Sequence, residues 1–490
     1  MQISTSEKLQ LFLFLMLLFC GVSGREIPLR IIQTSDLHGK MESGQLARTA
    51  AVIEQEIRDA GGMEKSLRID CGDLIQGSYP MLFPAGREMM IRFLNSMSYD
   101  VFVPGNHDFE FGSGALLSAL RQFRGSVCAL NLDWREAPVC AWKMIRRNGL
   151  NIAVIGIAYP SLPAMFPKQV LGRIRILSVS GEMKRIMPEI MRAKPEAIVL
   201  AVHAGEYTPL EPRCNLYDLI REYPQIDLVL SGHSHQQEAG KPLGRSSWRM
   251  QPPPLAGGIA VADLVYDDVQ RRITSLKTRL VFTSPRTPEH PETARLLAPL
   301  LKRTERSAQT EIARLPFALR PLEKGEHSNP ATRLFADAVR AHTGAQIVFF
   351  DSGSRYRKNP GTLTLRHIYL LMPYDDHIET LELTGRECLA VLEEQLKNLR
   401  KNRAFLPPDG LEFRMNRGKP ETVKLSGGGE LDPDGLYLCA FSSFACAGGN
   451  SRWPELNRIV QNKKKHFYPE PVREILREYL VREYPVKKEK

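Results

Sequence analysis

The sequence predicts a layered α/β domain followed by a second, smaller α/β domain. Short, continuous apolar runs alternate with amphipathic stretches, which is the pattern of strands buried on both faces and covered by helices. The helical stretches include Gln45–Arg58 and Gly181–Arg192. A chain of 490 residues also exceeds the size at which a single hydrophobic core stops growing, so we expect more than one domain.

Five short polar motifs follow five of the apolar runs, each where a predicted strand ends. Asp, Asn and His side chains suit Mn²⁺, Zn²⁺, Fe or Mg²⁺, and the absence of cysteine from every motif argues against a closed structural zinc site. Because α/β sheets collect their sites at strand ends, we expect the motifs to converge from one sheet edge on one open, catalytic pocket. The runs and motifs are Leu29–Ile32 before Asp36-Leu37-His38, Leu67–Ile69 before Gly72-Asp73, Val101–Val103 before Gly105-Asn106-His107-Asp108, Ile198–Val202 before His203, and Leu228–Leu230 before Gly232-His233-Ser234-His235.

Each motif has a simpler explanation when it is taken alone. Asp-x-His and Gly-Asp are more often turns than ligands, and His203 after an apolar strand could be a histidine satisfied in the core. The ordered set of five favours a two-metal hydrolase, because a motif is interpreted from its context and its combination with others. The alternative from another class is a ligand-binding protein with structural metals.

The motifs resemble those of the calcineurin-like metallophosphoesterases, in particular the secreted bacterial 5′-nucleotidase family, which includes UDP-sugar hydrolases and cyclic-nucleotide phosphodiesterases. The resemblance implies a four-layer sandwich domain joined by a helix to a smaller α/β substrate-binding domain. It also implies two divalent cations, Mn²⁺, Zn²⁺, Fe or Mg²⁺. By this resemblance Asp73 bridges the two cations, with Asp36, His38 and His235 on one of them and Asn106, His203 and His233 on the other.

The same resemblance implies a metal-dependent phosphoric ester hydrolase that converts a 5′-nucleotide to nucleoside and phosphate by attack of a metal-bound hydroxide. The alternatives within enzymes are a 2′,3′-cyclic-nucleotide phosphodiesterase and a nucleotide-sugar pyrophosphatase. His107 is expected to donate a proton or a hydrogen bond to the reacting phosphate. Glu110 stands where the family usually has Asp and is expected to orient the His107 ring. Asp108 is expected to be a structural residue of the turn.

The expected domain boundaries are 25–284 for the metallophosphoesterase domain, 285–318 for a linker helix and 319–490 for the substrate-binding domain. Three prolines lie between Thr283 and Glu292, and Thr293–Leu315 then has leucines at helical spacing. This stretch predicts one long interdomain helix. The alternative is a surface helix of the first domain.

Three segments of the second half resemble the family's substrate-recognition domain. Asn329–Arg340 resembles its opening helix, Met372–Asp376 precedes a strand that ends in Leu-Thr-Gly, and Phe444–Asn450 resembles its glycine-rich loop. The resemblance gives Phe444 the role of stacking on a base, with core packing as the alternative. The segment Asp351-Ser-Gly-Ser-Arg-Tyr-Arg357 departs from the family pattern, so the substrate arginine is shifted or lost. The expected substrate-binding residues are Phe444, Asn450, Arg355, Arg357 and Asp351.

The start of the chain predicts a signal peptide over residues 1–24. Leu11–Cys20 is an unbroken apolar run followed by small residues, so we expect a periplasmic or secreted protein, with a lipoprotein at Cys20 as the alternative. The run is too short to span a bilayer, so no stable membrane insertion is expected. The net charge of +11 favours a small anionic substrate, and no nucleic-acid-binding motif accompanies it. We therefore expect no nucleic-acid partner. The protein is also expected to be a monomer, although no sequence feature indicates the oligomeric state.

Seven cysteines follow the predicted cleavage site, which is an odd count for an oxidising compartment. At least one thiol is expected to stay free. Cys128 with Cys140, and Cys439 with Cys446, are the pairs nearest in sequence, but sequence distance does not establish disulfide geometry. Cys71 is expected to be buried in the core.

Overall fold

The computed structural model of the chain describes residues 24–76, 85–212, 214–321, 323, 329–349, 356–372, 376–401, 408–416, 419–447, 453–461 and 463–486. The predicted signal peptide therefore lies outside the described residues, except for Gly24. Within the described ranges, no helix is long and apolar enough to cross a membrane.

The first part of the chain contains two large sheets and the helices that cover them. Its helices are α1 (Gln45–Asp59), α2 (Ala85–Ser96), α3 (Ser113–Leu120), α4 (Lys168–Leu171), α5 (Val179–Arg192) and α6 (Leu216–Glu222). Its strands are β1 (Glu26–Thr34), β2 (Ser66–Asp70), β3 (Val101–Phe102), β4 (Ser126–Cys128), β5 (Leu132–Asp133), β6 (Val139–Cys140), β7 (Trp142–Arg147), β8 (Leu150–Ile157), β9 (Arg175–Ile176), β10 (Ala197–Val202), β11 (Leu228–Ser231), β12 (Glu238–Leu243), β13 (Ser247–Gln251), β14 (Gly258–Asp267) and β15 (Arg272–Phe282).

The two sheets pack face to face and each is covered by helices on its outer face. One sheet has the strand order β15-β14-β1-β2-β3-β4-β6, and the other has β12-β13-β11-β10-β8-β7. Alternate residues of a strand point to opposite faces. In β10, Val199 and Ala201 pack between the sheets, whereas Leu200 and Val202 pack against the outer helices. Both faces of the strand are thus apolar, which explains its continuous apolar run and confirms the four-layer sandwich.

The strands that carry the motifs divide between the two sheets. The strands β1, β2 and β3 are parallel neighbours in the first sheet, and β10 and β11 are parallel neighbours in the second. The prediction that one sheet edge delivers all five motifs is therefore wrong. Both sheets contribute, and the motifs meet because the carboxyl ends of the two sets of strands lie together.

The connection to the second domain is a shorter helix than the sequence pattern suggested. Helix α7 (Pro291–Ala308) begins after His290, whose side chain accepts a hydrogen bond from the Thr293 N–H. Residues Glu311–Leu315 then form strand β16, which pairs with β18 (Gly361–Thr364). Ala313 and Leu315 are buried and flank the exposed Arg314, which is a strand period. The predicted helix to Leu315 is thus wrong after Ala308, over about its last two turns. The domain boundaries stay a prediction.

The second domain has a four-stranded sheet, of order β17-β22-β19-β23, with an apolar core on each face. The helix predicted to open it is present, and Asn329 caps its first turn by accepting from the Thr332 N–H at 3.0 Å. The remaining strands are β17 (Ile347–Phe349), β19 (His377–Thr384), β20 (Leu411–Asn416), β21 (Lys419–Leu425), β22 (Leu436–Ser442) and β23 (His466–Pro471). The helices are α8 (Pro330–Thr343), α9 (Leu365–Leu371), α10 (Gly385–Lys401), α11 (Ser443–Cys446), α12 (Pro454–Val460) and α13 (Val472–Glu483).

Candidate metal centre

Backbone hydrogen bonds hold the first two motif loops side by side. The Asp36 N–H donates to the Gly72 carbonyl at 2.8 Å, and the His38 N–H donates to the Asp73 carbonyl at 2.8 Å. These bonds continue the parallel pairing of β1 and β2 past the ends of the strands. These backbone hydrogen bonds therefore fix the positions of the two loops and of the side chains they carry.

Asp108 joins the second loop to the third. Its buried carboxylate accepts N–H bonds from Asp73, Leu74 and Ile75, each at 3.0 Å, and from Gly105 at 2.8 Å. One side chain thus satisfies four backbone donors that belong to no strand or helix. This confirms the prediction that Asp108 is structural.

Two glycines allow these loops to approach closely. A Cβ atom at Gly105 would lie 2.3 Å from the Asp73 Oδ1 atom, and one at Gly72 would lie 2.4 Å from the Gly105 nitrogen. Either contact is far inside van der Waals distance. The glycines of the motifs are therefore required by packing around Asp73.

Left-handed backbone conformations concentrate at the motif residues. Such φ values cost energy for residues other than glycine and collect at functional sites, where the surrounding structure holds them in place. The residues concerned are Asp36 (φ 54°), His38 (49°), Asp73 (52°), His233 (70°) and His235 (56°).

The predicted ligands form overlapping groups around Asp73. The Asp73 Oδ2 atom lies 3.1 Å from His203 Nε2 and 3.9 Å from His38 Nε2. Three groups of potential ligand atoms are present, with all atoms of a group within 4.8 Å of one another: Asp73, His203 and His233; His38, Asp73 and His107; and Asp36, His38 and His235. Asn106 joins the first group, since its Oδ1 is 2.9 Å from His233 Nδ1.

The tautomers of two histidines direct lone pairs into this centre. The Nδ1 atom of His203 lies 2.6 Å from the Cys71 carbonyl, and that of His38 contacts the Gln76 carbonyl. A carbonyl only accepts, so Nδ1 carries the hydrogen and the Nε2 atom of each neutral ring presents a lone pair. In His203 the Nε2 atom faces a carboxylate oxygen at 3.1 Å, so a proton or a metal cation can be shared between the two atoms. The donor set therefore fits divalent cations, with carbonyls orienting the rings from behind.

The charges of the centre favour bound cations over an empty site. Burial raises the pKa of Asp73, but His203 and His107 outweigh it and hold that pKa well below its ordinary value. Burial lowers the pKa of His203, but the carboxylates of Asp73 and Asp36 outweigh it and raise that pKa to about 9. Burial, with the nearby His203 ring, lowers the pKa of His233 to about 4. Buried anionic oxygens thus draw positive charge, which divalent cations supply without protonating the ligands.

His107 and Glu110 lie beside this centre. The His107 N–H donates to Asp73 Oδ1 at 2.8 Å, and its Nδ1 contacts the Glu110 carboxylate. The side chain of His107 is 23% exposed and that of Glu110 is 10% exposed, so the ring faces solvent and the carboxylate lies behind it. Burial lowers the pKa of His107, but Glu110 and Asp73 outweigh it and raise that pKa to about 10.

The structure adds residues that the motifs did not include. The ring of Tyr159 lies over His233, with centroids 4.4 Å apart and planes at 37°, and the Ser35 hydroxyl donates to Asp36 Oδ2 at 2.6 Å. Tyr159 follows β8, which lies beside β10 in the same sheet. The apolar run of β8 was a signal that could have identified Tyr159. No side-chain pattern could have identified the carbonyls of Cys71 and Gln76. Cys71 itself is fully buried, as predicted.

The predicted substrate-binding residues lie in the second half of the chain and not in the motif loops. Phe444 is half-buried in α11, directly after β22, and Arg357 is exposed in the segment before β18. Asp351, Arg355 and Asn450 lie outside the described residues. The roles of all five stay predictions.

Comparison with known proteins identifies both domains. The sequence model of the calcineurin-like phosphoesterases matches residues 29–237, a range that contains every motif described above. The model of the 5′-nucleotidase C-terminal domain matches residues 307–458. The chain is a calcineurin-like phosphoesterase with a 5′-nucleotidase C-terminal domain. This phosphoesterase is therefore a hydrolase that acts on phosphoric esters.

Individual relatives of this phosphoesterase are distant in sequence. It is 22% identical to a 5′-nucleotidase of Vibrio vulnificus, over 94% of this chain and 91% of the relative. It is also 22% identical to an endonuclease of Bacillus subtilis, but the match spans only 38% of that protein's length. Among solved structures, a putative 5′-nucleotidase from Staphylococcus aureus superposes with a TM-score of 0.77, at 18% identity, over 94% of this chain and 98% of that one. At this identity the likeness shows the fold.

Proposed function

We propose that this phosphoesterase hydrolyses a 5′-nucleotide to a nucleoside and phosphate at two divalent cations. The observation that carries the proposal is the position of Asp73, whose buried carboxylate lies 3.1 Å from His203 Nε2 and 3.9 Å from His38 Nε2, with His107 alongside. One cation would be held by Asp36, His38, Asp73 and His235, and the other by Asp73, Asn106, His203 and His233.

The cations, when bound, polarise the phosphoryl oxygens and make a strong nucleophile available at neutral pH. The chain's own ligands keep the donor atoms in place for this chemistry. Strained loops, four N–H bonds to Asp108 and the carbonyls behind His38 and His203 fix that geometry before substrate arrives. Such preorganisation removes the reorganisation cost from the chemical step.

His107 is the residue proposed to act directly on the reacting phosphate. Its ring is partly exposed at the centre, while Glu110 accepts from its Nδ1 and favours the imidazolium. An imidazolium can donate from Nε2 to a phosphoryl oxygen as charge develops there, or protonate the leaving alkoxide. Glu110 does not touch the substrate in this scheme and acts as a positioning residue.

The nucleotide is proposed from the second domain and the relatives. The 5′-nucleotidase of Vibrio vulnificus matches along nearly the whole of both chains, and the C-terminal domain model covers α11 with Phe444. Stacking of a base on an aromatic ring is worth about 1–3 kcal/mol. Phe444 would supply that ring, with Arg355 or Arg357 meeting the anionic part of the substrate.

A substrate panel tests the proposal. With Mn²⁺ present, nucleoside 5′-monophosphates should release phosphate and nucleoside in equal amounts, with kcat/KM about 10–100-fold above that for an aryl phosphate because of base stacking. Phe444→Ala should remove this preference and leave aryl phosphate hydrolysis unchanged. Preferential turnover of 2′,3′-cyclic nucleotides or nucleotide sugars would contradict the 5′-nucleotidase assignment and support the alternative within enzymes.

We also propose that the protein is exported, that it is a monomer, and that it has no nucleic-acid partner. The apolar run Leu11–Cys20 and the small residues after it support cleavage after Gly24. Expression with the native leader should place the protein in the periplasm or medium with Arg25 at its N-terminus. Retention in the cytosol with an intact leader would contradict export, and a lipid-modified Cys20 would support the lipoprotein alternative.

A further inference from the structure

Two thiols face each other at the edge of the first sheet. Cys128 in β4 and Cys140 in β6 are paired in register on parallel strands, and their Sγ atoms are 3.6 Å apart. Adjacent strands lie about 4.7–4.9 Å apart, within the range of Cα distances that a disulfide spans. Both side chains pack on the face between the two sheets. The sulfur atoms therefore need side-chain rotation, and no shift of the strands, to bond.

The two thiols differ in access and in acidity. Cys128 is completely buried, whereas Cys140 is half-buried. The hydrogen bond with Cys128 and, to a lesser extent, the nearby Lys143 lower the pKa of Cys140 to about 7, against the opposing effect of burial. The same hydrogen bond, together with burial, raises the pKa of Cys128 well above its ordinary value. An accessible thiolate beside a buried thiol is the arrangement of an attacking cysteine and a resolving cysteine.

We propose that Cys128 and Cys140 are a redox pair that forms a disulfide by exchange with a disulfide-bearing oxidant, either a small molecule or a protein. The Cys140 thiolate attacks one sulfur of the oxidant's disulfide, and an S–S bond forms between them while the oxidant's own S–S bond breaks. The other sulfur of the oxidant leaves as a thiolate, and a mixed disulfide with Cys140 remains. Cys128 then loses its proton and attacks the Cys140 sulfur, which releases the second thiol of the oxidant. Two protein thiols are oxidised, the oxidant's disulfide is reduced to two thiols, and two electrons and two protons are transferred.

A second pair in the same chain provides an internal contrast. Cys388 in α10 and Cys439 in β22 also have their Sγ atoms 3.6 Å apart, although they are far apart in sequence. Both thiols are completely buried. An oxidant cannot reach them while the domain is folded, so proximity alone should not be enough for their oxidation in the native protein.

The disulfide would link the edge strand β6 covalently to β4. Strand β6 has two residues and pairs only with β4 among the strands of this sheet. A cross-link over this short loop restricts the unfolded chain, and it should raise the Tm of the first domain by roughly 5–10 °C. The inference does not rest on the proposed function, since it involves no ligand of the metal centre.

The test is differential alkylation of the full-length protein in glutathione buffers. Native protein is equilibrated with oxidised glutathione, free thiols are alkylated, and the peptides are mapped by mass spectrometry. We expect a Cys128–Cys140 disulfide, reversible with reduced glutathione, while Cys388 and Cys439 are alkylated as free thiols after denaturation. Cys214, which is also half-buried, serves as the control thiol and should carry at most a glutathione adduct.

Two variants identify the roles of the partners. Cys128→Ala should leave a persistent glutathione adduct on Cys140, and Cys140→Ser should leave Cys128 unmodified; retention of the wild-type Tm under reducing conditions verifies folding. Persistence of both thiols in fully oxidised glutathione would overturn the proposal. A stable adduct on Cys140 in the wild-type protein, with Cys128 still free, would also overturn it, as would equal oxidation of the Cys388–Cys439 pair in the native state.

Discussion

Replacing Asp73 with asparagine is expected to cost more than about 100-fold in cation affinity and more than about 10³-fold in kcat. Asp73 belongs to both of the proposed ligand sets, and its two oxygens point in different directions: Oδ1 accepts from the His107 N–H and Oδ2 faces His203 and His38. An asparagine has only one acceptor oxygen and no charge to offset two cations. The loss should therefore affect both sites together. Elemental analysis of the dialysed protein measures the cation content, and aryl phosphate hydrolysis measures kcat.

The matched control for this substitution is Asp59→Asn, which removes an exposed carboxylate at the end of α1. It should leave cation content and kcat unchanged. An Asp73→Asn protein that still holds two cations with near-normal turnover would mean that the two groups of ligands do not share a bridging carboxylate, and the proposed dinuclear centre would have to be abandoned.

Replacing His107 with glutamine is expected to lower kcat by about 10²–10⁴-fold, with the cation content unchanged. His107 touches Asp73 only through its backbone N–H, which any residue supplies, so the ligand geometry does not depend on the imidazole ring. What is lost is a donor that the Glu110 carboxylate keeps protonated. Glu110→Gln should give a smaller loss of kcat, because the ring stays in place without its charged partner.

His342→Gln is the control for His107, since His342 lies in α8 of the second domain, far along the chain from the motif loops. Comparison of kcat and cation content distinguishes a catalytic role of His107 from a role in holding the cations. A His107→Gln protein with full activity would refute the role of the imidazole. Binding of nucleotide with no turnover in the wild-type protein, with cations bound, would favour a binding protein with structural metals.

Much of the first domain could be predicted from the sequence because the relevant signals are local. A strand buried on both faces must be apolar at every position, so runs such as Ile198–Val202 and Leu228–Leu230 were visible as strands, and each strand end was marked by the polar residues after it. The resemblance to the calcineurin-like metallophosphoesterases then assigned the predicted ligands to two cations. The structure brings those seven side chains together, as a metal centre requires.

The structure of the second domain and its connection was harder to predict from the sequence, for a physical reason. Strand β16 closely follows helix α7, and only the pairing of β16 with β18 makes Glu311–Leu315 extended. Intrinsic propensity is a weak signal that tertiary pairing overrides. The proximity of Cys388 to Cys439 likewise depends on α10 packing against the sheet, which no spacing in the sequence encodes.

By itself the sequence determined which residue types stand at the strand ends, and therefore the class of chemistry the chain can support. Only the tertiary structure decided that two sheets, not one edge, deliver the ligands, that Tyr159 covers His233, and that backbone carbonyls set the tautomers of His38 and His203. The reason is that strand periodicity depends on neighbours a few residues apart. Asp73 and His203 are 130 residues apart in the chain, and their contact depends on how separate strands pair and pack.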